Sequence, residues 1–430
     1  MQNNSLSYPI YNQRSGWNAL LPTRRPAPKL TADVNLDIAI VGAGYTGIAA
    51  ARRLCELDPD ADIALIDSSE IGEGSPGRNS GFLLEIALAN DANSQQMARM
   101  TQCNRLIQGT MNGIIADVRE SPSVQLKRTG TYRGVAGLHN KSLVRYREFL
   151  QAAGLPFEVL NRNDLKRRIG TDFYREGLYS PHCYLAQPAA LIRTLAERLP
   201  PSIQLYENTP VTALLKQNSK WLLQTREANV SASKVILANN AFSKSFGVGK
   251  SQLVAMYTYA GLTSKLSESV LASLGSEHNW GLLPAHRLGS TLRRTEDGRL
   301  LVRSFYGYER EAEESVIRRE LKLNLQRRYP QLNDFEFDKL WGGAVGYTHN
   351  GGVLWGEVEA NLFVSAGCNG GGVVKGTLFG SLLADLANGK QVVDVPALFG
   401  RASWLPPEPV RGLGFKMLSS IERWRGRAEL

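Results

Sequence analysis

The sequence predicts an α/β fold joined to a second, α+β domain. Three stretches carry that prediction. A strand, glycine turn, helix and second strand run from Leu36 to Asp67, and a second glycine-rich strand, loop and helix run from Asn361 to Gly389. Between them, short apolar runs from Gln252 to Tyr308 suit an antiparallel sheet. At 430 residues the chain exceeds one ordinary hydrophobic core, so two domains are expected. Its 43% hydrophobic and 21% charged residues are those of a globular protein. No run approaches the ~18 unbroken apolar residues of a bilayer span.

The first unit is read residue by residue. "LDIAIV" (36–41) is an apolar, β-branched run of the kind that forms a parallel strand buried on both faces. Gly42 then allows a tight turn, Gly44 lets backbone approach a pyrophosphate, and Gly47 lets the next helix lie close on the strand, with Ala43, Tyr45 and Thr46 completing the loop. Ile48, Ala51, Leu54 and Cys55 form one apolar helical stripe, and the helix N-terminus offers free N–H groups to an anion. "IALI" is the second strand; Asp67, twenty residues past Gly47, accepts from a ribose diol and repels a 2′-phosphate. The unit is therefore Rossmann-like and points to an ADP-ribose moiety, in FAD or NAD rather than NADP.

The segment after Asp67, "SSEIGEGSPGRNSGFLLE", crowds glycines, hydroxyls, an arginine and an asparagine together. Its "GSPGRNSG" (74–81) resembles the second dinucleotide-contact segment of the FAD-dependent D-amino-acid oxidase superfamily, in particular its glycine/sarcosine oxidase and γ-glutamylputrescine oxidase branch. "YENTPVTAL" (206–214) with "KVILANNAF" (234–242), and "NLFVSAGCNGGGVVKGTLFGSLLADLANG" (361–389), are similar to two further family segments. The resemblance implies FAD contacts from Ser68, Ser75, Arg78, Asn79, Ser80 and Gly81, from Val211 at the adenine, from Ala238 and Asn239 beside the flavin, and from Gly367, Asn369, Gly370, Gly371, Gly372 and Val373 at its pyrimidine end. It also implies a helix N-terminus that favours negative charge on the reduced ring. Val345 stands where sarcosine oxidases tether the flavin to cysteine, so non-covalent FAD is expected. Asn369 and Gly371 replace the serine and histidine of many relatives, and Lys375 stands one place later than their lysine.

The fingerprints are far apart, so the FAD-binding domain is expected to be discontinuous: 34–95, 190–245 and 340–395. Residues 96–189 and 246–339 are expected to build the substrate domain on an antiparallel sheet. Residues 1–33 are expected to form a polar, proline-punctuated arm over the folded body, and 396–430 a tail. "QMARMTQCNRLIQGTMNGIIADV" predicts a long helix with Met97, Leu106, Met111, Ile114 and Ile115 among its buried residues; "SLVRYREFLQAAG" and "AALIRTLAERL" predict two more, the latter following Pro188. In the tail, Phe415, Leu418, Ile421 and Trp424 predict an amphipathic helix with a basic flank, packed on its own domain or resting on a membrane or partner subunit.

Amine oxidation by a flavin asks little of side chains beyond positioning the C–H bond, keeping the amine neutral and excluding water. No serine sits in a nucleophile elbow, and His139, His182, His278, His286 and His349 include no metal-spaced pair, so no metal is expected. Arg303, in the alternating "LLVRSFYGYE", is the candidate carboxylate clamp, with a solvent-facing strand arginine as the alternative. Tyr257, Tyr259 and Trp280 are candidate pocket walls against a core role; His286 and His349 are candidates for bonding substrate or flavin.

The expected activity, which the resemblance implies, is oxidation of the C–N bond of a primary or secondary amine by hydride transfer to the flavin. The amine is an amino acid, a glycine- or sarcosine-like molecule, or a γ-glutamyl-polyamine, and O2 or another acceptor takes the electrons. An amine dehydrogenase delivering electrons to a quinone, a flavin oxidase acting on transfer RNA, and a non-catalytic flavin protein are the alternatives. The net charge of +10 suits phosphate contacts, but no RNA-binding motif with interleaved aromatics accompanies it, so nucleic acid is not the expected partner. Four scattered cysteines and no signal-peptide pattern suit a reducing cytoplasm, with peripheral membrane contact left open.

Overall fold

The computed structural model describes residues 6–86, 94–137, 141–332 and 334–429; His139 lies outside them. Its first sheet is built around the expected unit. Strand β1 (Val34–Val41) leads through Gly42–Gly44 into helix α1 (Tyr45–Leu57), which returns the chain to β2 (Ile63–Ile66). β1 and β2 pair in parallel, Ile38 opposite Ile63 and Val41 opposite Ile66, and every residue of β2 is buried. Gln204–Tyr206 continues the parallel order beyond β2, while Asn229–Leu237 and then Leu362–Ala366 continue it beyond β1. Asn229–Leu237 changes partner along its length: its first half pairs antiparallel with Lys220–Gln224, and Val235 to Leu237 pair in parallel with Leu362 to Val364.

Helices cover this sheet. α1 buries Ile48, Ala51 and Leu54 as predicted, with Cys55 half-buried at the rim. Helix Val374–Ala387 packs so closely on α1 that a Cβ at Gly380 would overlap the Thr46 carbonyl oxygen. The helix at Pro188–Glu197 starts at its proline, and the Gln187 side chain accepts from the Ala190 N–H at 2.8 Å.

The second sheet has eight strands in the spatial order Phe337–Tyr347, Val254–Thr263, Leu300–Tyr308, Thr291–Arg294, Trp280–Pro284, Thr131–Val135, Glu176–Ser180, Glu158–Asn161. Every neighbouring pair is antiparallel except Trp280–Pro284 with Thr131–Val135. Three of these strands come from 131–180, where the sequence predicted a helix and no strand. Thr131–Val135 is buried throughout, so it lacks polar alternation, and its Arg133 lies against the ring of Tyr146 at 4.7 Å.

Two segments sit with the other sheet from the one expected. Phe337–Tyr347 pairs along Val254–Thr263 in the second sheet; its glycines admit neighbours, since a Cβ at Gly342 would overlap the Glu311 carboxylate. The long helix, observed as Met97–Val118, buries Ile107, Met111, Ile114 and Val118 in one cluster with Ile38, Ile40 and Ile48 of the first sheet's layer. Met111 and Ile114 are buried as predicted, whereas Met97, Leu106 and Ile115 are half-buried beside that stripe.

The tail forms helix Val410–Arg425, but its predicted stripe is corrected. A strict spacing of three drifts around an α-helix, which turns every 3.6 residues. Phe415 consequently stacks inward on Tyr308, ring centroids 4.8 Å apart, while Trp424 is exposed on the opposite face. Among the described residues no helix is long and apolar enough to cross a membrane.

Candidate active site

A cavity of ≈ 330 Å³ opens between the carboxyl ends of the parallel strands and the second sheet. Its floor is the glycine turn. Gly42 has φ +104°, and a Cβ there would meet the Ala238 carbonyl oxygen at 2.9 Å, so the position requires glycine. Gly44 caps α1 without any side-chain bond, leaving first-turn N–H groups facing the cavity beside Tyr45 and Thr46. Gly47 and Ala43 lie behind this wall. A Cβ at Gly47 would overlap the Gly42 carbonyl oxygen, so its absence lets the helix approach the turn.

Asp67 closes one end. Its carboxylate accepts from the Ala43 N–H at 2.8 Å and from the Ser69 N–H and hydroxyl at 2.9 and 3.0 Å. Burial raises this carboxyl above the usual range, those donors offsetting part of the effect. Ser68 and Val211 line the same end.

The segment 74–81 forms the next wall through Ser75, Arg78, Asn79 and Ser80. Its polar groups are largely spent within the protein. Ser75 Oγ donates to the Ala344 carbonyl at 2.6 Å, and Asn79 Nδ2 to the Pro76 carbonyl at 2.6 Å. The Arg78 guanidinium donates to the carbonyls of Glu73, Gly342 and Gln13 at 2.6, 2.8 and 2.8 Å and lies 3.7 Å from the Tyr11 ring centroid. Gly81 is behind the wall, with φ +83° and no room for a Cβ beside Arg293 and the Ala186 carbonyl.

Ala238, Asn239, Gly367, Gly370, Gly371, Gly372 and Val373 line the far end, where helix Val374–Ala387 presents a second N-terminus without a side-chain cap. Asn239 Oδ1 is buried with no hydrogen-bond partner among the described residues. Asn369 does not reach the cavity lining. Its amide turns back into the loop, accepting from the Thr348 N–H at 2.9 Å and donating to the carbonyls of Gly351, Gly352 and Gly367 at 2.9, 3.1 and 2.7 Å.

Of the candidate catalytic residues Arg303, Tyr259 and His349, Arg303 lines the cavity and Tyr259 and His349 do not. Its guanidinium donates to Tyr306 Oη at 2.7 Å, Thr291 Oγ1 at 3.1 Å and Thr258 Oγ1 at 3.3 Å. Tyr306 in turn donates to the Arg287 carbonyl at 3.1 Å. The Tyr347 phenol also lines the cavity, and burial raises its pKa so that it stays neutral. Tyr259 is fully buried, its hydroxyl accepting from the Ala312 N–H at 2.6 Å; Trp280 is buried near Tyr329, and Tyr257 also joins the core. Side chains alternate along Val254–Thr263, so Thr258 and Ala260 face the cavity and the tyrosines face away. His349 is exposed just past the end of Phe337–Tyr347, and His286 faces Glu422 at 3.4 Å.

Sequence reasoning missed the arm residues at the cavity and the two threonines at Arg303, whereas Asn240 lies within the expected 238–241 turn. Ser7, Tyr8 and Pro9 of the arm line the cavity, Ser7 Oγ donating to the Val211 carbonyl at 2.6 Å. Asn240 joins its own turn to the loop at Gly367, Nδ2 donating to Cys368 Sγ at 3.1 Å and Oδ1 accepting from the Gly367 N–H at 2.9 Å. Thr258 and Thr291 meet Arg303; reading 257–260 by strand parity with Arg303 as anchor would have found the first.

Among the described residues no cluster of metal-ligating side chains occurs. Uncapped helix ends, glycines that admit backbone contact and an acid at the far edge fit a long, anionic, adenine-bearing group. A family model described as FAD dependent oxidoreductase, DAO, matches residues 37–386. The chain belongs to the DAO family.

FAD is therefore its cofactor, and it is an oxidoreductase. This DAO-family chain is 27% identical over 397 residues to the probable oxidoreductase OrdL of Rhizobium meliloti, spanning 89% of this chain and 90% of that one. It is 25% identical over 378 residues to the gamma-glutamylputrescine oxidoreductase of Escherichia coli, spanning 85% and 86%. Its fold is similar to that of glycine oxidase from Geobacillus kaustophilus, with TM-score 0.72 at 20% identity over 86% of this chain and 100% of that one. L-proline dehydrogenase from P. horikoshii matches at TM-score 0.66 and 17% identity, over 87% and 98%.

Proposed function

We propose that this DAO-family enzyme oxidises the C–N bond of an amine that also carries a carboxylate: an amino acid, an N-substituted glycine, or a γ-glutamylated polyamine. The reading is carried by Arg303, which faces the cavity with only hydroxyl partners and no carboxylate bonded to it among the described residues. A guanidinium stays charged throughout the physiological range, and its hydroxyl partners bring no compensating negative charge. A charge so placed is incompletely satisfied, and a bidentate carboxylate satisfies it. The similar proteins include a gamma-glutamylputrescine oxidoreductase and a glycine oxidase, names that fit such substrates.

When bound, FAD supplies the hydride acceptor. The residues of this chain do the rest. The N-terminus of α1 holds the pyrophosphate and Asp67 the ribose diol. Arg303, kept in place by Tyr306, Thr258 and Thr291, fixes the carboxylate and thereby the C–H bond to be broken. Leu84, Leu283 and Phe242 give that part of the cavity apolar walls that disfavour a charged amine and exclude water. Asp67 is the one carboxylate among the described lining residues and lies at the adenine end, so the amine is bound in its neutral form rather than deprotonated by a carboxylate of the wall. The imine leaves to hydrolyse in water. Val345 at the cavity wall offers no thiol, which supports non-covalent FAD.

Anaerobic mixing of the yellow protein with a panel of amines and amino acids tests this reading. Carboxylate-bearing amines are expected to bleach the flavin, and Arg303→Ala to lower kcat/KM for them about 10²- to 10³-fold. Air reoxidation of the reduced protein then separates O2 from another acceptor. Bleaching by no amine, or an Arg303→Ala enzyme that discriminates carboxylates as before, overturns the proposal.

A further inference from the structure

Helix Val410–Arg425 is fastened to the second sheet by one face only. Phe415 stacks on Tyr308, the Arg423 guanidinium lies over Phe305 at 5.6 Å, and Arg411 donates to the carbonyls of Pro406, Leu253 and Lys250 at 2.8, 3.3 and 2.8 Å. Beyond the helix, Glu429 Oε1 accepts from the Ala136 N–H at 2.8 Å, which anchors the far end. The opposite face is open. Val410, Leu413, Met417, Ile421 and Trp424, spaced three, four, four and three apart, form one stripe, and no residue of this helix is buried. Four of the five are 58% to 69% exposed, and Ile421 is 37% exposed.

The margins of that stripe are cationic. Helical geometry places Lys416 along one border and Arg425 along the other, and the Arg427 guanidinium lies 5.9 Å from the Trp424 ring. Of the two acidic groups, Glu422 lies between His286 and the border residue Arg425, and Glu429 is buried. Residues 410–430 carry five basic and two acidic side chains.

We propose that this face docks the protein on a bilayer surface containing anionic lipid, with the helix lying in the plane of the interface. An apolar stripe that ends in a tryptophan and is bordered by lysine and arginine matches both halves of such a surface, acyl chains beneath and phosphates around. A second copy is the poorer occupant. A two-fold contact would set the same cationic margins against each other in a chain of net charge +10. The seat of the helix adjoins the cavity: Phe305 and Tyr308 belong to the strand that carries Arg303, and a Cβ at Gly426 would overlap His286, next to the Arg287 whose carbonyl fixes Tyr306. Docking therefore turns the Arg303 end of the site toward the membrane. The proposal stands whether or not the substrate is an amine.

Co-sedimentation of the FAD-loaded full chain with vesicles tests it, using phosphatidylcholine alone and phosphatidylcholine mixed with phosphatidylglycerol, at about 0.15 M salt. The protein is expected to pellet with the mixed vesicles and far less with the neutral ones. Leu413→Glu with Met417→Glu, and separately Lys416→Glu with Arg425→Glu, are each expected to lower partitioning at least tenfold. Flavin content and circular dichroism should be unchanged in both, because these side chains are exposed and none of them lines the cavity. No pelleting with mixed vesicles overturns the proposal, as does pelleting that neither pair alters. A dimer in sedimentation equilibrium that Leu413→Glu with Met417→Glu dissociates also overturns it, because a second copy would then cover the face.

Discussion

Gly47 shows how a single hydrogen atom in place of a methyl can decide whether a cofactor is held. With a Cβ, α1 would have to withdraw from the Gly42 carbonyl, and its free N–H groups would move with it. Gly47→Ala is therefore expected to cost about 1–3 kcal/mol of stability, the usual range for overpacking, and to leave the purified protein short of flavin, read from the ratio of absorbance at the flavin band to that of protein. Full flavin content in a stable variant would refute this account. The glycine pattern was legible because its spacing is tied to one backbone geometry. The substrate end was less so, since strand parity is invisible until register is known. In Leu300–Tyr308 even the parity is broken: Phe305 has φ +58° and pairing with Val254–Thr263 slips there, which brings Tyr306 to Arg303 although the two are three residues apart. The aromatic residues at 257 and 259 therefore looked like pocket walls while the threonine between them holds that place.

The arm ties the two sheets together across the cavity. Tyr11 accepts from the Ala344 N–H at 3.1 Å and covers Arg78; Ser15 donates its N–H to Glu73 at 2.8 Å, and Trp17 Nε1 donates to the Asn79 carbonyl at 2.8 Å. With Tyr8 and Pro9 on the lining, losing these ties frees a way out for the nucleotide. Tyr8→Ala with Tyr11→Ala is expected to weaken FAD binding roughly tenfold, about 1.4 kcal/mol, measured by flavin fluorescence on dilution. Acid acts on the same element. Burial alone would raise the Glu73 carboxyl, but Ser15, Asn18, Arg78 and Arg14 together hold it below the usual carboxylate range. A depressed acid contributes stability above its unfolded pKa of about 4.3 and loses it as pH falls through the lower folded value. Flavin release should accordingly accelerate below about pH 4, and Glu73→Gln should release it readily at neutral pH too; an acid profile identical in Glu73→Gln would sink this. The arm was legible as an ordered cover, because tyrosines and tryptophan among polar residues need a surface to bury against. Its contacts were not, since each partner lies more than fifty residues away.

Across the whole chain, what could be read in advance was local: βαβ units carry their own punctuation in glycines, acids and apolar runs. What could not be read was assignment of segments to sheets, because Phe337–Tyr347 is placed by a strand more than seventy residues earlier and Met97–Val118 by packing on a different layer from the one expected. The strand Asn229–Leu237 shows the consequence most plainly. Its second half stays an open parallel edge until Leu362–Ala366 arrives beside it. During synthesis more than a hundred residues must leave the ribosome while that edge waits, and an unpaired apolar edge invites pairing with other nascent chains. A chain stopped at residue 350 is expected in the pellet after cell lysis and centrifugation; recovery of it as a soluble monomer would contradict this. The last strand thus makes the earlier strands of this sheet dependent on a late arrival, and a cell producing this protein needs something to guard the growing chain in the interval.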